Sequence, residues 1–108
     1  MFQFGEIVLL AFPFTDNSAI KKRPALVLLD TEDGDFIAAR VTTQSFSTEY
    51  EIALTDWEAA GLLAPSVVKI NKLATLKATL VDRKLGKLTD RDLELVRGKL
   101  NHILDIFR

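Results

Sequence analysis

The sequence predicts a mainly β protein: a small, strongly bent β-barrel of five or six short strands, with a C-terminal α-helix packed on it and a short additional helix. Short apolar runs rich in Val, Ile, Leu and Phe recur before Leu88, each bounded by Gly, Pro, Asp or Asn. Only the segment after Thr89 carries a long helical period. A chain of 108 residues, 48% hydrophobic and 27% charged, builds one modest core, so residues 1–108 are expected to form a single domain.

Residues 6–12 (EIVLLAF) lie between Gly5 and Pro13, boundaries that favour a strand over a helix. Pro13, Phe14, Thr15, Asp16, Asn17 and Ser18 are loop chemistry, because Asx and hydroxyl side chains hydrogen-bond their own backbone. Lys21, Lys22 and Arg23 close that loop. Pro24 biases Arg23 toward extended geometry, and residues 25–29 (ALVLL) follow as a second buried strand. Glu32, Asp33, Gly34 and Asp35 predict a hairpin turn, residues 36–44 (FIAARVTTQ) a third strand, and residues 50–54 (YEIAL) a fourth. Thr55 and Glu58 have capping-box spacing and Gly61 is a C-terminal stop, so the short helix is expected there, with Trp57 as a packing residue. Residues 66–70 (SVVKI) and 79–85 (TLVDRKL) give a fifth and a sixth strand, joined by a short turn over 72–77. Thr89 caps the long helix, and Asp90 and Asp92 suit its positive N-terminal end. Leu93, Val96, Leu100, Ile103, Leu104 and Phe107 form its apolar face.

Composition excludes several chemistries. Cysteine is absent and His102 is the one histidine, so there is no disulfide framework, no thiolate nucleophile and no Cys-bearing or multi-His metal site within one subunit. His102 lies beside the apolar helical stripe and is expected to be structural. No metal or cofactor is expected. The longest apolar runs are about six residues, against the roughly 20 that a membrane helix needs. Met1, Phe2, Gln3 and Phe4 carry no basic leader pattern, so a soluble cytoplasmic chain without a membrane partner is expected. The net charge of −1 hides segments of opposite sign. Residues 30–58 hold eight carboxylates against Arg40 alone, and residues 59–88 hold six cations against Asp82. Folding can interleave these into a mixed surface, but local patches, not totals, meet phosphates.

Three segments are candidates for chemistry. Lys21, Lys22, Arg23 and Pro24 end the first loop, and a guanidinium fixed at a strand mouth matches phosphate oxygens with its planar fork. The plain alternative is solvated loop charge. In Val41, Thr42, Thr43, Gln44 and Ser45, alternation puts Thr42 and Gln44 on one face and Thr43 on the other, so hydroxyl and amide groups are offered at a strand end. The alternative is that Thr favours strands and Gln and Ser begin a loop. In Ser66, Val67, Val68, Lys69, Ile70, Asn71 and Lys72, Lys69 and Asn71 share a face and Lys72 lies just beyond. That is a phosphate-tracking strand or an edge strand guarded by lysines.

Together these segments resemble the MazF/PemK family of type II toxin–antitoxin toxins. Residues 5–16 (GEIVLLAFPFTD) resemble the family's opening strand and loop, residues 22–28 (KRPALVL) its Arg-Pro strand, and residues 41–45 (VTTQS) its Thr-Gln strand end. Residues 65–76 (PSVVKINKLATL) and 85–88 (LGKL) look like its later strands. No single motif is specific; their order along the chain is. The first loop departs from many relatives in reading Asn17, Ser18, Ala19, Ile20, Lys21, Lys22, with no glycine.

The resemblance implies an SH3-like barrel of the CcdB/MazF/PemK type, a homodimer, and metal-independent, sequence-selective cleavage of single-stranded RNA, the activity of an mRNA interferase. It also implies a cognate small antitoxin of the MazE/PemI kind, whose tail occupies the RNA groove. Arg23 and Thr42 match the family's catalytic Arg and Thr. Lys21, Lys22, Gln44, Lys69 and Lys72 are the candidate RNA contacts. The alternative is a non-catalytic toxin or interaction module of the same barrel, acting on a protein target such as DNA gyrase as the related CcdB toxins do.

Overall fold

The computed structural model describes residues 1–11 and 22–108. The predicted loop from Pro13 to Ser18, the end of the first strand at Phe12, the glycine-free stretch up to Lys21, and Lys21 itself lie outside the described residues. Six strands follow in order: β1 (Glu6–Leu10), β2 (Arg23–Asp30), β3 (Asp35–Thr42), β4 (Glu51–Ala53), β5 (Val67–Lys77) and β6 (Val81–Lys87). The helix α1 (Asp90–Ile106) ends the fold. The strands make one sheet in the order β4-β5-β3-β2-β1-β6, and every neighbouring pair is antiparallel.

Each side of the sheet carries an apolar cluster. On one side Ile7, Leu26, Ala39, Val41, Val68 and Ile70 pack with Val96 of α1, and with Leu54, Ala60 and Leu62 from the segment after β4. On the other, Val8, Leu10, Ala25, Val27, Phe36, Ala38 and Leu76 pack together as the sheet curls on itself. This is why residues 7–10 of β1 are an unbroken apolar run: both faces of the strand are buried. Thr89 caps α1 as expected, its Oγ accepting the Asp92 N–H at 3.5 Å. Leu93, Val96, Leu100 and Ile103 face the sheet, whereas Leu104 and Phe107 are exposed, so the predicted apolar face ends before the last turn. Among the described residues no helix is long and apolar enough to cross a membrane.

Four expectations are corrected. The sheet does not close into a barrel among the described residues, because β4 and β6 are its two ends and do not pair. The physical reason is local: β4 has three residues, and the backbone of Ala60 and Gly61, not a strand, lies against Leu85 and Gly86 of β6. The helix expected from Thr55 to Gly61 is a run of hydrogen-bonded turns. Its stop signal is real: Gly61 has φ +88°, its N–H donates to Glu58 O at 3.0 Å, and Leu62 N–H donates to Trp57 O at 3.1 Å, a Schellman closure. The capping box does not form at its start: the N–H groups of Thr55 and Asp56 donate to the buried Asp92 carboxylate, at 2.9 and 2.8 Å, and not to Glu58. The short helical element is a 3-10 turn at Ala78–Leu80.

The turn expected over 72–77 is strand. β5 runs on through Lys77, with a bulge: Arg40 of β3 faces Lys69, whereas its neighbour Ala39 faces Leu73. Asn71 and Lys72 are exposed in that bulge, and pairing resumes beyond it. The extra residues bend the strand and increase its twist, letting β5 contribute first to one cluster and then to the other. The sixth strand accordingly starts two residues later than expected, at Val81.

Candidate functional site

On the curled side of the sheet the apolar cluster gives way to polar side chains toward the Thr42 end of β3. Alternation sets Arg23 beside Ala25 and Val27 on β2, and Arg40 and Thr42 beyond Ala38 on β3. Across the sheet, Ala25, Arg40, Lys69 and Glu51 stand in one row, each opposite the next. A second row holds Leu10 opposite Arg23, and Thr42 opposite Val67. The β2–β3 ladder stops at Ala25 and Arg40; Arg23 and Thr42 lie two residues beyond it on their own strands, on the same face by alternation. Opposed residues on one face have Cβ atoms about 5 Å apart, so Arg40, Lys69 and Glu51 share one local surface.

The charges on this surface are unequal. Arg40 and Lys69 are opposed like charges, an arrangement that is unfavourable unless offset. Glu51 offsets Lys69: Nζ lies 2.7 Å from Oε2, and both side chains are almost fully buried. Arg40 has no acidic partner among the described residues, and neither does Arg23. The Nε atoms of Arg23 and Arg40 are buried without a hydrogen-bond partner among the described residues. Buried donors without acceptors are costly, and two guanidinium groups in this state on one face favour an anion with several oxygens. Thr42 Oγ accepts the Gln44 N–H at 3.2 Å, which leaves its own O–H free to donate to such an anion.

Glu51 also holds the chain that leaves β3. It accepts from Ser45 Oγ at 2.7 Å, from the Phe46 N–H at 3.1 Å to each oxygen, and from the Ser47 N–H at 3.0 Å. The Lys69 ammonium foremost, then Ser45 and the Phe46 amide, holds the carboxyl at about 2, below its ordinary 4.5.

The seven predicted site residues fare differently. Arg23 and Thr42 stand on one surface, and Gln44 is exposed just past the strand end. Lys69 is buried and paired, not on an exposed polar face with Asn71; the β5 bulge separates the two. Lys72 is exposed in that bulge. Lys22 is exposed and lies 2.9 Å from Asp82 of β6. Arg40 was not among the expected residues, although its alternation with Thr42 along FIAARVTTQ was the available signal. Thr43 points to the opposite side as expected, where it lines an apolar cavity of about 350 Å³ with Leu9, Pro24, Leu62 and Leu85. His102 is exposed on α1. Among the described residues no three His, Cys, Asp or Glu side chains converge to hold a metal ion.

The model of the family described as PemK-like, MazF-like toxin of type II toxin-antitoxin system matches residues 3–104. Comparison with curated protein sequences gave no match. The solved structure of MazF (form I) from Deinococcus radiodurans has 28% identity and a TM-score of 0.71, with 94% of each chain covered. A MazE–MazF complex (form II) from the same organism has 25% identity and a TM-score of 0.70, covering 94% of this chain and 92% of that one. An endoribonuclease in complex with its cognate antitoxin, from a mycobacterial species, has 16% identity and a TM-score of 0.77, covering 97% and 96%. That last likeness concerns the fold.

Proposed function

The chain belongs to the PemK-like, MazF-like toxins of type II toxin–antitoxin systems, and from that membership we propose that it is an endoribonuclease cleaving single-stranded RNA, sequence-selectively and without a metal ion. The observation that carries the proposal is Arg23, Arg40 and Thr42 on one face of the sheet, with the Nε atoms of both arginines buried and without a partner among the described residues.

RNA brings its own nucleophile. The 2′-OH attacks the adjacent phosphorus, the P–O5′ bond breaks, and the products are a 2′,3′-cyclic phosphate and a 5′-OH. The 2′ oxygen loses a proton and the 5′ oxygen gains one. The protein need only align the attack, stabilise charge on the crowded phosphorane and assist proton movement. A guanidinium is a poor proton acceptor, so the role of Arg23 is charge stabilisation on the transition-state oxygens rather than general base catalysis. Thr42 donates its O–H to a phosphoryl oxygen, and Arg40 neutralises the same or the neighbouring phosphate. Lys21, Lys22, Lys72 and Gln44 contact the flanking strand, while Lys69 supports the surface from beneath. The assembly is a homodimer held in check by a small antitoxin, as the MazE–MazF complex suggests, and it acts in the cytoplasm.

The test is incubation with a pool of single-stranded RNA in EDTA, followed by sequencing of the fragment 5′ ends. Discrete ends bearing 5′-OH at one short recurring sequence are expected. An intact pool would contradict the reading and favour a protein target.

A further inference from the structure

The turn after β3 is more tightly built than a solvated loop requires. Ser45 Oγ and the N–H groups of Phe46 and Ser47 all converge on the Glu51 carboxylate. Ser47 sits at φ 55°, a left-handed backbone that residues other than glycine seldom adopt, and its N–H also meets Ser45 Oγ at 3.1 Å. Such a conformation persists where its surroundings fix it. What is being fixed is the backbone of Phe46. Yet the Phe46 side chain belongs to neither apolar cluster, and the residue is 71% exposed. The Lys69 ammonium lies 4.4 Å from the ring centroid, and Lys69 is itself tied to Glu51. The structure thus holds a large apolar ring in water, on a pinned backbone, with a fixed cation against it. It lies two residues past Gln44 and four past Thr42.

We propose that Phe46 is a stacking platform for an unpaired nucleobase of the RNA strand whose phosphate sits on Arg23, Arg40 and Thr42, with Glu51 and Lys69 as its positioning residues. The inference rests on the endoribonuclease reading and deepens it. An aromatic face takes any splayed base but no base inside a duplex, so the platform selects single strands. A ring already held in place gives up little freedom on binding. Because the stacked base takes no part in the bonds made and broken, stacking stabilises ground and transition states alike. Its loss should therefore raise KM and leave kcat.

The experiment compares Phe46→Ala, Phe46→Leu and Phe46→Trp with the wild type. It measures steady-state cleavage of a single-stranded RNA, and binding to the 2′-O-methyl form of that RNA, which lacks the attacking hydroxyl. Phe46→Ala is expected to raise KM and weaken binding by about ten- to a hundredfold, with kcat nearly unchanged and an unchanged melting curve. Phe46→Leu keeps apolar bulk without a π face and should fail in the same way. Phe46→Trp should restore both quantities, and its fluorescence should be quenched by the oligonucleotide relative to the background of Trp57. Glu51→Gln, with the turn released, should raise KM while kcat holds, a split that a general folding defect would not give. Wild-type affinity in Phe46→Ala, full function in Phe46→Leu, or no quench in Phe46→Trp would each overturn the platform. Failure of the underlying reading shows separately, as no cleavage by the wild type; the quench by the 2′-O-methyl RNA still decides whether Phe46 meets a base.

Discussion

Glu51 shows how one side chain can serve both stability and function. It is surrounded by donors, and its carboxyl is held at about 2 against an ordinary 4.5. A carboxyl lowered in the folded state stabilises it fully above its unfolded value, and that contribution drains away as pH falls through the folded value. The melting temperature should therefore decline between about pH 4.5 and pH 2, and Glu51→Gln should flatten that part of the profile while lowering the melting temperature at pH 7. A wild-type slope in Glu51→Gln, followed by calorimetry or circular dichroism, would mean that other carboxylates carry the acid transition. Lys22 makes the contrast. Its pair with Asp82 is half-exposed, and such pairs contribute about 0–1 kcal/mol. Lys22→Ala should leave the melt almost unmoved, while weakening RNA binding and reducing its salt dependence. An unchanged salt slope would remove Lys22 from the interface.

The elements were legible in the sequence where their signals are local. Bounded apolar runs located β1 to β4, and a cap with a periodic face located α1. That Arg23 and Thr42 share a face follows from alternation along the same strands once their register is known. The misses share one cause, which is contact between distant parts of the chain. Asn71 and Lys72 look like a strand end, but they are a bulge whose far side still pairs with β3. Thr55 looks like a helix cap, but Asp92, 37 positions along, takes its N–H. Lys69 looks like surface charge until Glu51 of β4 is set opposite it. The closest such contact is between the Ala60–Gly61 backbone and β6. A Cβ on Gly86 would lie 2.3 Å from Ala60 O, which is backbone and cannot swing away. Gly86→Ala should therefore destabilise the fold by about 2–3 kcal/mol, read from denaturant unfolding. A cost below about 1 kcal/mol would show that the turn can lift off β6 and that this contact does not anchor the open edge.

At the scale of the molecule, opposite charge along the chain becomes pairing across the sheet. The acidic segment supplies β3 and β4, and the basic segment supplies β5 between them. Glu51 and Lys69 neutralise each other there, while Arg23 and Arg40 keep their positive charge on the same face. Apolar surface is also left over: Leu63 is 98% exposed and Phe107 79%. The proposed homodimer would bury part of it, so light scattering at micromolar concentration should give twice the mass of the chain. A concentration-independent monomer would contradict the dimer.

Arg23 is expected to stabilise charge in the transition state of RNA cleavage, and single-turnover cleavage of a fluorogenic single-stranded RNA in EDTA measures that stabilisation. Arg23 forms no ion pair among the described residues, so Arg23→Ala should change stability by less than about 1 kcal/mol. Its cleavage rate should fall by about 10²–10³, the loss that follows removal of one charge-stabilising donor. Arg23→Lys keeps the charge without the planar fork and should recover only part of the rate. If Arg23→Ala folds and cleaves at near the wild-type rate while Lys22→Ala does not, Lys22 and not Arg23 carries the charge stabilisation.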